Sequence, residues 1–178
     1  MQLSRDAIIA AAVDILDTYG LADMSMRRVA TSLKVAPGAL YWHIANKQQL
    51  ITAIAEEILA PVLADTAPST AEKLADLLRE CMLSRRDGAE LVAAALAQPD
   101  SGTRADVEKQ LEITLPGDGD LRRIGAASLL HLVLGSTALE QARTQHAADT
   151  GAPPPAEASA DFRRGVEILL TGLAQRRG

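Results

Sequence analysis

Ser25-Met26-Arg27-Arg28-Val29-Ala30-Thr31-Ser32-Leu33-Lys34-Val35-Ala36-Pro37-Gly38-Ala39-Leu40-Tyr41-Trp42-His43 is the stretch of this 178-residue chain from which the fold can be read. Ser25 suits a helix N-cap, because its side-chain oxygen can accept from a backbone N–H of the first turn. Met26, Val29, Ala30 and Leu33 recur at the three-to-four spacing of one buried helix face, which turns Arg27 and Arg28 towards solvent. Lys34-Val35-Ala36 leaves room only for a tight connection. Pro37 suits the first turn of a following short helix, where its missing N–H costs nothing, and Leu40 and Ile44 point back at the helix before. Two short helices joined in this way form a helix-turn-helix.

Only four aromatic residues serve the whole chain, and Tyr41-Trp42 are two of them. A large aromatic is ordinarily core material. Here adjacent helix residues point about 100° apart, so with Leu40 and Ile44 inward, Tyr41, Trp42 and His43 cannot all share the core side. The segment from Met24 to Ala55 contains no acid, where the chain's average frequency would place about four, and it carries Arg27, Arg28, Lys34 and Lys47. Cations beside planar polar side chains suit a phosphate backbone, since they displace condensed counterions. The formal net charge of −5 is no obstacle, because the basicity needed is local. For Arg28 an ordinary solvated face competes with a phosphate role, and for Lys34 solvation is the simpler reading.

Outward from this motif the chain reads as all-α. Ser4 can cap a first helix whose buried face is Ile8, Ala12, Ile15, Leu16 and Tyr19, with Gly20 as its stop. Asn46 can cap a helix with Leu50, Ile51, Ile54, Ile58 and Leu59 inward, running to about Pro61 or a turn beyond. Leu74, Leu77, Leu78 and Cys81 mark the next face, ended by Arg85-Arg86-Asp87-Gly88. Glu90 to Ala97 forms another helix, and Asp100-Ser101-Gly102 starts one that stops at Pro116-Gly117. A long helix over 120–146 is apolar all round its middle and must be covered on more than one side. Residues 147–159, with three consecutive prolines, read as a loop before a terminal helix over 160–176. These last two helices suit half of a four-helix bundle completed by a second copy, against the simpler alternative that they close a monomeric core.

The domains expected are 1–46 for the helix-turn-helix unit, 47–60 for a connecting helix and 61–178 for a helical C-terminal domain. A single cysteine, Cys81, excludes an intrachain disulfide and a cysteine-based zinc site. Neither an export signal nor an apolar run of membrane-spanning length is visible, so a soluble, cytoplasmic protein is expected. No nucleophile–base pair, phosphate loop or metal spacing occurs. No catalytic residue, metal or cofactor is therefore expected.

Tyr19-Gly20-Leu21, Met24 to Ala30, Leu33 to His43 and Asn46-Lys47-Gln48-Gln49-Leu50 together resemble the Tet repressor family of bacterial transcription regulators over roughly residues 4–55. The long penultimate helix with His131-Leu132-Val133-Leu134-Gly135, the proline-rich loop and the terminal helix resemble the ligand-binding and dimerising domain of the tetracycline repressor branch. The resemblance implies that Pro37 to His43 is the recognition helix. Pro37, Gly38, Ala39, Trp42 and His43 would lie nearest the bases, and Ser25, Arg27, Tyr41 and Lys47 would clamp phosphate, with Arg28 as a further candidate. Ala39 and Pro37 carry no hydrogen-bonding side chain, so readout leans on Arg27, His43 and DNA shape.

The resemblance also implies a small-molecule effector pocket, expected near Leu78, Met82, His131 and Gly135, with His131 either a core residue or a ligand contact. The histidines are only His43, His131 and His146, and Leu139 stands where an acid would be wanted for a tetracycline–magnesium effector. The implied function is a homodimeric repressor, paired through helices 120–146 and 160–176, that leaves a palindromic operator when a small molecule binds. An activator of the same fold, and a helical dimeric ligand-binding or scaffold protein without operator binding, stay open at this point.

Overall fold

The computed structural model describes residues 3–99 and 102–176. Among these it is helical throughout: α1 (Arg5–Tyr19), α2 (Met26–Ser32), α3 (Pro37–Leu40), α4 (Lys47–Leu63), α5 (Ala71–Leu83), α6 (Gly88–Leu96), α7 (Gly102–Thr114), α8 (Gly119–Thr150) and α9 (Ala158–Gln175). The expected start of a helix at Asp100-Ser101 lies outside the described residues.

Local chemistry sets most of these boundaries. The Ser4 hydroxyl accepts from the Ala7 N–H at 3.2 Å, and α1 stops at Gly20, whose φ of 90° only glycine adopts freely. Ile8, Ala12, Ile15 and Leu16 are buried as expected, but Tyr19 is 49% exposed. Its ring lies past the last buried turn and carries the Arg28 guanidinium 3.9 Å above its centre, which is what holds it.

The turn between α2 and α3 is a Schellman closure. The Val35 N–H donates to the Ala30 carbonyl at 3.0 Å and the Lys34 N–H to the Thr31 carbonyl at 3.1 Å. Lys34 occupies the left-handed position with φ 58°, where glycine is the usual residue. Regular α3 is shorter than the expected Pro37 to His43. It ends at Leu40, and residues 41–43 continue as turns in which the His43 and Ile44 N–H groups both donate to the Leu40 carbonyl at 2.9 Å. Sharing one acceptor tightens the chain, so that Ile44 is buried and Asn46 can start α4.

Helix α4 begins on the Asn46 side chain, which accepts from the Gln49 N–H at 2.8 Å, while the Gln49 side chain accepts from the Ala45 N–H at 3.0 Å. It runs through Pro61 to Leu63, with Pro61 exposed in its last turn. Helix α4 packs on α1 and also on α5, α6 and α7, so a single element is shared by the helix-turn-helix unit and the larger bundle.

Helix α8 packs against α5, α6, α7 and α9, which explains a helix apolar on several sides. It continues to Thr150 with Ala147 buried and ends at Gly151 in the left-handed region, so the expected loop 147–159 contracts to 151–157. Among the described residues no helix is long and apolar enough to cross a membrane.

Candidate nucleic-acid interface

Packing divides the stretch around α3 cleanly. Leu40 and Ile44 are 0% and 2% exposed, whereas Tyr41 between them is 52% and Trp42 is 90% exposed. Leaving the only tryptophan of the chain almost wholly in water forgoes roughly 2 kcal/mol or more of burial that an indole could supply. His43, Pro37 and Gly38 are exposed and Ala39 is half-buried. The Cβ position of Gly38 has no neighbour within 4 Å, so its role is not to relieve crowding within the protein.

The cations around the motif differ in their commitments. Arg27 is exposed, and its guanidinium makes no ion pair among the described residues. Lys47 is exposed at the first position of α4. Arg28 is otherwise engaged: it lies 2.6 Å from the Asp23 carboxylate and stacks on Tyr19. In the free protein Arg28 thus has a third claimant beside solvent and phosphate, Asp23 at the α1–α2 turn, which sequence periodicity could not place. Ser25 caps α2 by accepting from the Arg28 N–H at 3.2 Å, and its hydroxyl proton is left to donate elsewhere. Lys34 is exposed, its backbone spent on the turn.

The expected effector-lining set does not come together within the chain. Leu78 and Met82 are 1% and 0% exposed in the core, while His131 and Gly135 lie exposed on α8. The inward side of α5 is consumed by packing on its neighbouring helices. On α8, His131 and Gly135 fall at helical spacing with the exposed Ile124, Ser128 and Leu139. His131 is therefore not a core histidine of the single chain.

Crevices formed by other residues include two that α4 helps to line. One of about 350 Å³ sits between α1, α4 and α5, lined by Val13, Ile54, Ile58 and Cys81 with the Glu57 and Glu80 carboxylates at its edge. Burial, and then the charge of Glu80, push the Cys81 thiol above its usual range, so it stays protonated and unreactive. The other, about 410 Å³, lies between α4 and the α6–α7 connection, lined by Thr52, Glu56, Leu63, Gln98, Thr103 and Asp106. Among the described residues the buried Gln98 Nε2 has no hydrogen-bond partner. No spacing in the sequence foreshadows either crevice, because each joins residues from helices far apart in the chain. Among the described residues no cluster of three or more histidines, cysteines and carboxylates is placed to hold a metal.

Comparison with known proteins gives this geometry its context. Residues 8–54 match the model of bacterial regulatory proteins of the tetR family. The chain is 32% identical to the tetracycline repressor protein class E of Escherichia coli, over 97% of this chain and 92% of that protein. BioQ of Mycobacterium smegmatis superposes with a TM-score of 0.88 at 38% identity, covering 98% of this chain and 99% of that one. A BioQ structure with its double-stranded DNA operator superposes at 0.81 with 37% identity, over 97% of this chain and 99% of that one. A TetR variant from Acinetobacter baumannii in complex with minocycline gives 0.80 at 26% identity, with 99% of each chain covered. With the helix-turn-helix match and near-complete coverage of a relative above 30% identity, the chain belongs to the TetR family of bacterial regulatory proteins.

Proposed function

We propose that this TetR-family regulator is a cytoplasmic homodimeric repressor that binds a near-palindromic operator and leaves it when a small molecule occupies the C-terminal domain. It carries out no catalysis. The carrying observation is Trp42, 90% exposed beside a half-exposed Tyr41, in a segment without acids. In this reading Pro37, Gly38, Ala39, Trp42 and His43 meet the major groove, and Ser25, Arg27, Tyr41 and Lys47 hold phosphates. The reading head comprises residues up to Asn46, and α4 connects it to the bundle. Likeness to BioQ, which has been solved with its operator, supports the DNA partner.

The dimer forms through the outer sides of α8 and α9. Leu139 is 60% and Ile168 68% exposed there, and Gly135 and Gly172 have no atom within 4 Å of a would-be Cβ, which lets backbones approach closely. The effector site is the crevice between α4 and the α6–α7 connection, because the unpaired Gln98 amide faces a need that a ligand acceptor would meet. A ligand held against α4 there gains leverage on the reading head if it prefers one position of that helix.

Selection of duplexes from a random library, followed by mobility-shift titration at stated salt, tests the reading. Enrichment of a two-fold symmetric sequence is expected. Recovery of no duplex even at low salt would sink it.

A further inference from the structure

Besides α4, the reading head meets the bundle at a second place. The short connection between α5 and α6 reaches the end of α1. Arg85 lies 2.7 Å from the Asp17 carboxylate, the Arg86 N–H donates to the same carboxylate at 3.2 Å, and the Arg86 guanidinium donates to the Thr18 carbonyl at 3.0 Å. Across the turn, the Leu21 N–H donates to Asp87 Oδ2 at 2.8 Å, between residues 66 apart in sequence. Gly20 makes room for this: a Cβ there would sit 2.7 Å from Asp87 Oδ2.

Asp87 is the feature that ordinary helix capping does not explain. It stands at the N-cap of α6, where an aspartate normally accepts from its own first turn, yet its side chain makes no such bond, and its backbone is left-handed at φ 53°. The vacant capping task passes to another helix. Gln141 of α8 accepts from the Ala89 N–H at 2.9 Å and donates to the Arg85 carbonyl at 2.8 Å. The carboxylate of Asp87 is thereby released to bind the head.

We infer that the α5–α6 connection is a positioning clasp, in which Gln141 on α8 frees Asp87 to grip the Leu21 amide and Arg85 to grip Asp17, fixing the angle of the reading head for one operator half-site spacing. The inference rests on the operator-binding function proposed above. A head tethered at α4 alone can swing about that helix, whereas a second anchor on the α1–α2 turn removes this freedom. Asp17, Arg85, Asp87 and Gln141 are positioning residues with no part in touching DNA.

The test uses the full-length protein and the duplex that the unaltered protein selects, alongside versions with the half-sites one base pair closer and one farther. Asp87→Gly removes the acceptor and relieves the left-handed backbone, and Asp17→Asn breaks the exposed ion pair, so both variants should fold. Affinity for the selected duplex is expected to fall about tenfold, as for one lost charge-assisted hydrogen bond, and less for the respaced duplexes, so that spacing discrimination shrinks. Equal weakening on all three duplexes would reveal a general structural role and overturn the clasp. Hydrogen exchange at the Leu21 amide gives a readout without DNA. It should quicken at least about tenfold in Asp87→Gly, and unchanged exchange would also overturn the clasp. Should the unaltered protein select no duplex, the proposed function fails, and Leu21 exchange still decides on the clasp.

Discussion

Arg79 on α5 meets Glu140 on α8 in a two-pronged ion pair, with Nη2 at 2.6 and 2.8 Å and Nε at 3.1 Å from the carboxylate oxygens, and both side chains are less than a fifth exposed. The planar guanidinium also lies 5.5 Å from the centre of the Phe162 ring on α9, so one side chain ties three helices of the bundle. Removing only the acid would strand a nearly buried cation. Glu140→Leu is expected to destabilise the bundle by about 3 kcal/mol, and Arg79→Met with Glu140→Leu to recover most of that loss, because an ion pair that has been desolvated is worth little over a good apolar contact. Denaturant unfolding of the two variants checks this. Equal losses in both would show that packing rather than the uncompensated charge sets the cost.

Trp42 and Lys47 should fail in different ways. Trp42→Ala touches no core, so its melting temperature should stay close to that of the unaltered protein, while specific operator affinity drops by about tenfold to a hundredfold. Lys47→Ala should weaken binding to all sequences alike and lower the slope of log K against log salt by about one, as expected for a single phosphate contact. Titrations at several salt concentrations separate the two. A Trp42→Ala protein that binds its operator normally would remove that residue from the interface.

On the outer side of the last two helices, Ile168→Asp places a charge at the centre of the proposed pairing surface. Since Ile168 is 68% exposed in the single chain, the fold of each subunit should survive. Sedimentation is expected to shift from a dimer towards the 18.8 kDa monomer. Persistence of the dimer at micromolar concentration would place the interface elsewhere.

Lys34 holds a left-handed backbone at the Schellman turn between α2 and α3, a position glycine occupies without strain. Lys34→Gly should raise stability by about 0.5–1 kcal/mol, the relief of strain outweighing the added freedom of the unfolded chain, and Lys34→Val should lower it. Thermal unfolding of the pair gives the sign directly. A destabilised Lys34→Gly protein would mean that the lysine stem contributes packing that its exposure conceals.

Much of the architecture was legible in the amino-acid order because its causes are local. Ser4, Ser25 and Asn46 cap the helices they precede, Gly20 ends the first, and the spacing of Ile8, Ala12, Ile15 and Leu16 or of Met26, Val29 and Ala30 names the faces that are buried. The outward Trp42 followed from the same angular reasoning, since Leu40 and Ile44 on either side had already claimed the core. Tertiary structure alone decided which partner each polar group met. Arg28 was drawn to Asp23 and Tyr19, His131 was left on the outside of α8, and Asp87 gave up its own helix to bind Leu21, with Gln141 taking its place. Caps and apolar faces are set by neighbours within a few residues along the chain, whereas Leu21 and Asp87, or Ala89 and Gln141, stand dozens of residues apart. They become neighbours only after the helices have packed.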